Sequence, residues 1–159
     1  MSNIQYAPAV GSKFYEDGRV RQFPGNTITC FADPQGQAYQ EAGFVQQQLL
    51  QESYGHKFAM LPPSSFHMTV IELLCDDERD PSKWSSHLST ESTLNETDDY
   101  FMKTVAQVTP PTNFRMCFSH LDLGYVGLSL YLKPADEDTA TALQQYRDAI
   151  AEATGVRFA

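Results

Sequence analysis

From Ser65 to Leu73 the chain reads Ser-Phe-His-Met-Thr-Val-Ile-Glu-Leu, with apolar and polar residues in near alternation. A period of two predicts a β-strand with one face covered, because successive side chains leave a strand on opposite sides. On this reading Phe66, Met68 and Val70 enter a core, while Ser65, His67 and Thr69 form a polar row on the other face. Such a strand belongs in a sheet whose aliphatic face rests on helices, so the row lines the opposite surface. The Pro62-Pro63 pair just upstream breaks any element that precedes it.

The remaining segments supply that strand's partners. Turn chemistry at Asp17-Gly18 and Pro24-Gly25-Asn26 leads into Thr27-Ile28-Thr29-Cys30-Phe31, a strand by its β-branched and aromatic content. Residues 37–52 predict a helix with Ala38, Ala42, Val45 and Leu49 on one face, Gln46 to Gln48 mostly toward solvent and Gly55 as its cap. Residues 76–96 are acidic and serine-rich, and read as a loop with a short turn near Trp84. Thr97-Asp98-Asp99 starts a second helix bearing Phe101, Val105 and Val108, which Pro110-Pro111 stops. A hairpin follows: Phe114, Met116 and Phe118 alternate with Arg115, Cys117 and Ser119. After a turn near Asp122 to Gly124, Val126, Leu128, Leu130 and Leu132 alternate with Gly127, Ser129 and Tyr131. Asp136 to Thr154 is a last helix, with Leu143, Tyr146, Ile150 and Ala153 on one face and Gly155 closing it. This order predicts a single α+β domain over residues 1–159.

A net charge of −9 argues against a broad groove that neutralises a nucleic-acid backbone, though it leaves room for a small anion held by local donors. Cys30, Cys75 and Cys117 are widely spaced in apolar surroundings, so reduced core thiols are expected rather than a disulfide or a zinc site. No apolar run reaches the ~20 residues a membrane span needs, and residues 1–11 lack the pattern of a secretory leader. A cytoplasmic protein without membrane contact is the expectation.

The polar row carries the chemistry. An imidazole serves as general base or acid near neutral pH. A threonine two residues along a strand shares its face, and its hydroxyl can donate to an oxygen on which charge grows. A His-x-Thr tripeptide alone is weak evidence, since a lone strand histidine is more often structural. Of the other histidines, His56 lies in a turn and His87 in the serine-rich loop. His120 is followed by Leu121 and Asp122, which puts a carboxylate where an anion-binding hydroxyl is needed, and no third ligand makes His120 and Asp122 a metal pair.

The stretch LPPSSFHMTVIEL closely resembles the first HxT motif of the two-histidine (2H) phosphoesterase superfamily. Gly11-Ser12-Lys13-Phe14, Asp17-Gly18, Phe23-Pro24-Gly25-Asn26-Thr27, Phe114-Arg115-Met116 and Leu132-Lys133-Pro134-Ala135-Asp136 are similar to one branch of it, long labelled a domain of unknown function. The resemblance implies two similar α+β lobes about a pseudo-twofold, each placing one HxT on a central strand facing a shared cleft. It implies metal-independent chemistry with no cofactor: one histidine acts as base, the other as acid, and both threonines hold the phosphate. Substrates of the superfamily are 2′,3′-cyclic phosphates, 2′–5′ linkages and related nucleotide phosphodiesters.

A second HxT is expected on a strand after the last helix, and this sequence carries none between Gly155 and Ala159. The expectation is therefore a C-terminally truncated fold whose second lobe lacks its central strand, leaving an apolar face and free edges that invite a strand-donating partner or self-association. The expected function is hydrolysis of a nucleotide or RNA-end phosphodiester, weak or absent in this chain, with His67 and Thr69 catalytic and Ser65, Arg115 and Tyr131 lining the cleft. The alternative is a catalytically dead domain that binds nucleotides or RNA ends.

Overall fold

The computed structural model describes residues 5–125 and 127–157. Val126, expected in the hairpin's second strand, lies outside the described residues, as do the first four and last two positions of the expected domain. The element order is β1 (Gly25–Phe31), α1 (Gln37–Gln51), β2 (His67–Cys75), α2 (Leu94–Val105), β3 (Met116–Gly124), β4 (Gly127–Pro134) and α3 (Glu137–Thr154). The class is α+β as expected, with two antiparallel two-stranded sheets, β1–β2 and β3–β4.

The β1–β2 ladder departs from simple alternation at two places. Thr29 faces Thr69 but Ile28 faces Ile71, so Val70 is an extra residue; a second extra residue falls between Glu72 and Cys75. Each bulge sets two residues against one and turns adjacent side chains the same way. That is how the pairs Val70-Ile71 and Leu73-Leu74 both serve the core, although parity from His67 assigns Ile71 and Leu73 to the solvent face. Gly25 sits opposite the second bulge, where any Cβ would collide with the Leu74 carbonyl.

Two apolar clusters hold this sheet. Val70 and Ile71 pack with Leu143, Tyr146 and Ile150 of α3, joined by Ile28, Met68, Phe114 and Met116. Leu74 packs with Trp84, Phe101 and Val156. The loop around Trp84 is thus anchored to the core. Trp84 is buried, its indole N–H donates to the Ser89 carbonyl at 3.0 Å, and the Ser85 hydroxyl donates to the Thr154 carbonyl at 2.6 Å. Helix α3 begins at Asp136, whose side chain accepts from the Thr139 amide, and closes at Gly155 in the left-handed conformation, φ 68°.

Several expected boundaries move. Helix α2 starts four residues early in a capping box, where Thr93 accepts from the Glu96 amide and Glu96 accepts from the Thr93 amide. Thr97, expected as its start, is instead buried inside it. Helix α1 ends at Gln51, and Gly55 opens a short 3₁₀ turn rather than capping it. No residue of α1 is buried; its half-buried stripe is Tyr39, Ala42, Gln46 and Leu49, with Ala38 and Val45 exposed. That stripe rests on the segment before β2: Tyr39 meets Phe66 edge to face at 5.3 Å, and the Gln46 amide donates to the Leu61 carbonyl at 3.0 Å. The three thiols are free, but Cys30 is exposed rather than in the core, because the packed face is built on Val70 and Ile71 and does not reach the end of β1.

The β3–β4 hairpin is longer than expected: β3 runs through Asp122 to Gly124, where a turn was expected, and Tyr125 follows in a turn. An extra residue at Ser119 resets its parity. Phe118, Leu121, Leu123, Leu128, Leu130 and Leu132 then share one face, and all of them are exposed. The N-terminal segment clamps the far end: the Ala9 amide donates to the Tyr125 carbonyl at 2.9 Å, and Ser12 Oγ lies 2.9 Å from the Tyr125 hydroxyl. Among the described residues no helix is long and apolar enough to cross a membrane.

Substituting Ile150, which is 0% exposed, with alanine is expected to lower unfolding free energy by about 2–5 kcal/mol. Leu123→Ala, at a side chain 78% exposed, should stay within about 0.5 kcal/mol. Urea denaturation of both variants measures the contrast, and equal losses would contradict this placement of the core. Acid stability carries a second signature. The Thr93 amide and hydroxyl hold the Glu96 carboxyl below its ordinary range, and the Thr139 hydrogen bond does the same for Asp136. Groups lowered on folding stabilise above their unfolded pKa, and that contribution vanishes as pH falls through the lowered values. Glu96→Gln should therefore cost stability at pH 7 and much less at pH 2, as read from thermal melts at each pH.

Candidate functional site

The solvent face of β1–β2 is assembled pair by pair. Residues directly opposite in an antiparallel ladder project to the same side. Phe31 faces His67 and Thr29 faces Thr69, so one aromatic ring, one imidazole and two hydroxyls share a four-residue patch. Thr27 and Glu72 form the next pair along this face. His67, Thr69 and Phe31 are exposed and Thr29 is half-buried, so the patch is open to a ligand.

His67 is held in a defined state. Its Nδ1 lies 2.7 Å from the Ser65 carbonyl oxygen. A carbonyl only accepts, so Nδ1 carries the proton and a neutral ring presents a bare Nε2 lone pair. The ring edge also meets Phe31, with centroids 6.1 Å apart at 61°. Local chain chemistry explains the brace. Pro62-Pro63 opens a 3₁₀ turn over Pro63–Ser65 that is capped at Phe66, just before His67, and α1 supports this turn through Tyr39 and Gln46. Behind the patch, Arg147 of α3 donates from Nε to the Val70 carbonyl at 2.7 Å. The bulge that follows Thr69 is thereby tied to the main core helix.

The sequence-predicted residues separate. His67 and Thr69 lie together as expected. Ser65 is in the 3₁₀ turn rather than the strand, and its hydroxyl donates to the Pro62 carbonyl at 2.7 Å. Its service to His67 comes through its backbone carbonyl. Arg115 precedes β3 instead of lying in it, and its guanidinium pairs with Asp136 at 3.4 Å. Tyr131 is on β4, stacked on His120 with centroids 4.6 Å apart and planes 9° apart, while His120 Nδ1 lies 3.0 Å from Ser119 Oγ. His87 is engaged by the Tyr100 hydroxyl at 2.7 Å. Among the described residues no three His, Cys, Asp or Glu side chains cluster as metal ligands would.

Two members of the patch, Thr29 and Phe31, escaped the sequence reading. The signal was present in the alternation of Thr27, Thr29 and Phe31 with Ile28 and Cys30. What was missing was the pairing partner that turns that alternation into a shared face.

A family model named 2H-phosphodiest and described as "Domain of unknown function (DUF1868)" matches residues 13–124, which include both strands of the patch. The crystal structure of a conserved protein of unknown function from Agrobacterium tumefaciens is similar at 25% identity with a TM-score of 0.83. That alignment covers 99% of this chain and 66% of the bacterial protein, so this chain spans less than two thirds of its structural relative. No functionally curated protein matches.

The hydrogen-bond brace yields a direct expectation. Nitrogen NMR of the side chain at a pH where His67 is neutral should show the proton on Nδ1, with Nε2 resonating as an unprotonated ring nitrogen. A neutral ring carrying its proton mainly on Nε2 would remove the basis for assigning it as a base.

Proposed function

Because the chain belongs to the 2H-phosphodiesterase family, DUF1868, we propose that its site acts on a nucleotide or RNA-end phosphodiester such as a 2′,3′-cyclic phosphate. The observation that carries this reading is the bare Nε2 of His67 beside two threonine hydroxyls on one exposed face. In the proposed step Nε2 takes a proton from water as the water oxygen bonds to phosphorus. The bond from phosphorus to the 2′ or 3′ oxygen then breaks, and that oxygen takes up a proton from solvent. Thr69, with Thr29 opposite, donates to the phosphoryl oxygens as their charge grows. Glu72, farther along the same face, repels an anion and confines the phosphate to the His67 end.

The proposed activity is weak in this chain. A single imidazole supplies the base but not the acid, and the other histidines described at ring contacts are engaged elsewhere, His87 with Tyr100 and His120 with Tyr131. Lacking a positioned proton donor costs about 10²–10⁴ in rate. A second reading, binding of nucleotides or RNA ends without turnover, shares the same patch. The exposed apolar face of β3–β4 supports the proposal of a partner, another chain or a second copy, that packs over Phe118, Leu121 and Leu130 as it adds a strand at the hairpin edge.

Incubation with 2′,3′-cyclic nucleotides, followed by phosphorus NMR, is expected to show slow or no hydrolysis. Titration with the 2′-phosphate product is expected to show binding that His67→Ala abolishes. Rapid turnover lost in His67→Ala would overturn the weak-activity proposal. Binding and turnover both indifferent to His67 would overturn the phosphoesterase reading itself.

A further inference from the structure

Phe31 is 68% exposed, and among the described residues His67 is the one aromatic ring in contact with it. Tyr39 and Phe66 pair with each other. As the last residue of β1 it stands opposite His67, so its ring projects from the patch face and not from the core face. A phenyl group there buries little apolar surface and adds little to folding. What it adds to the patch is a flat apolar wall at one end of a polar cradle. The other end carries Glu72 with Thr27, which disfavours an anionic group there, so the phosphate keeps to the His67 end and the phenyl ring stands beside it, open to the uncharged part of a ligand.

We propose that Phe31 is a stacking platform for the nucleobase of the ligand. The inference rests on the phosphoesterase reading and assigns to one residue the recognition of the base in a nucleotide ligand. The phosphate sits between His67, Thr29 and Thr69, the sugar crosses the Phe31–His67 pair, and the base lies on the phenyl face. Every base offers a π-face, so the platform recognises a nucleobase without choosing among the four by hydrogen bonds. Because Phe31 is largely exposed, its replacement leaves the fold intact.

The test compares adenosine 2′-monophosphate with the same sugar phosphate bearing a methoxy group in place of adenine. Calorimetric titration covers the wild-type chain, Phe31→Leu, Phe31→Trp and His67→Ala. The wild type is expected to bind the nucleotide roughly tenfold more tightly than the abasic ligand. Phe31→Leu is expected to weaken the nucleotide roughly tenfold more than the abasic ligand and so erase that difference, and Phe31→Trp to restore it. Equal weakening of both ligands in Phe31→Leu would show that the ring only props the imidazole, and would overturn the proposal. Unchanged binding of both would overturn it as well. The abasic arm reports on the cradle alone: its binding, lost in His67→Ala, upholds the phosphoesterase reading even where stacking fails. Failure of the wild type to bind either ligand would remove both.

Discussion

The extra residue at Val70 resolves a conflict that runs through β2. The strand has to give α3 a continuous apolar surface and give solvent an ordered polar row. Strict alternation over His67–Cys75 would send Ile71 and Leu73 outward and turn Met68, Val70, Glu72 and Leu74 inward, putting a carboxylate in the core. The bulge turns Val70 and Ile71 the same way, and both are buried against Leu143, Tyr146 and Ile150. His67 and Thr69 lie before the bulge and keep their parity. Arg147 then fastens the bulged backbone through the Val70 carbonyl. The polar patch is therefore carried on the back of the best-packed part of the molecule, where side-chain positions are least free to drift.

The same logic explains the support for His67 from the other side. Helix α1 buries none of its residues, yet it is not idle. Its half-buried stripe presses on Leu61 and Phe66, which bracket the Pro62-Pro63 turn delivering the Ser65 carbonyl to the imidazole. Proline restricts that turn before packing acts on it. The β3–β4 ribbon has no such backing. It is held at its tip by Ala9 and Ser12, and at its base by Met116 on the α3 cluster, while the Leu-rich face between remains open. A two-stranded ribbon is marginal in water without a covering layer, which makes this face the least self-sufficient part of the fold.

Legibility followed the range of the interaction. The helices, the hairpin, the α+β class and the His67–Thr69 pair were readable because each depends on spacing within a few residues. The true start of α2 was readable too, in the Thr-x-x-Glu spacing from Thr93 to Glu96, but the acidic run after it drew the boundary late. Ser65, Arg115 and Tyr131 were assigned from parity extended past the point where it holds. A 3₁₀ turn takes Ser65 out of the strand, Arg115 precedes β3 and pairs with Asp136, and Tyr131 lies on the separate hairpin sheet. The segment around Trp84 is a loop in the structure as its composition predicts, but spacing does not show that Leu74, Phe101 and Val156 meet around its indole.

By itself the sequence determined that His67 and Thr69 share a strand face, because that follows from covalent geometry once the segment is extended. It also determined the family, whose model matches residues 13–124. Only the tertiary structure decided which residues face them. Pairing β1 against β2 in one register, with Val70 set aside, brought Thr29 and Phe31 to the patch, and a slip of one residue would have put Cys30 and Ile28 there instead. The proton on Nδ1 of His67 was decided in the same way. It depends on a turn that aims one carbonyl at one nitrogen, and such aim belongs to packing rather than to spacing.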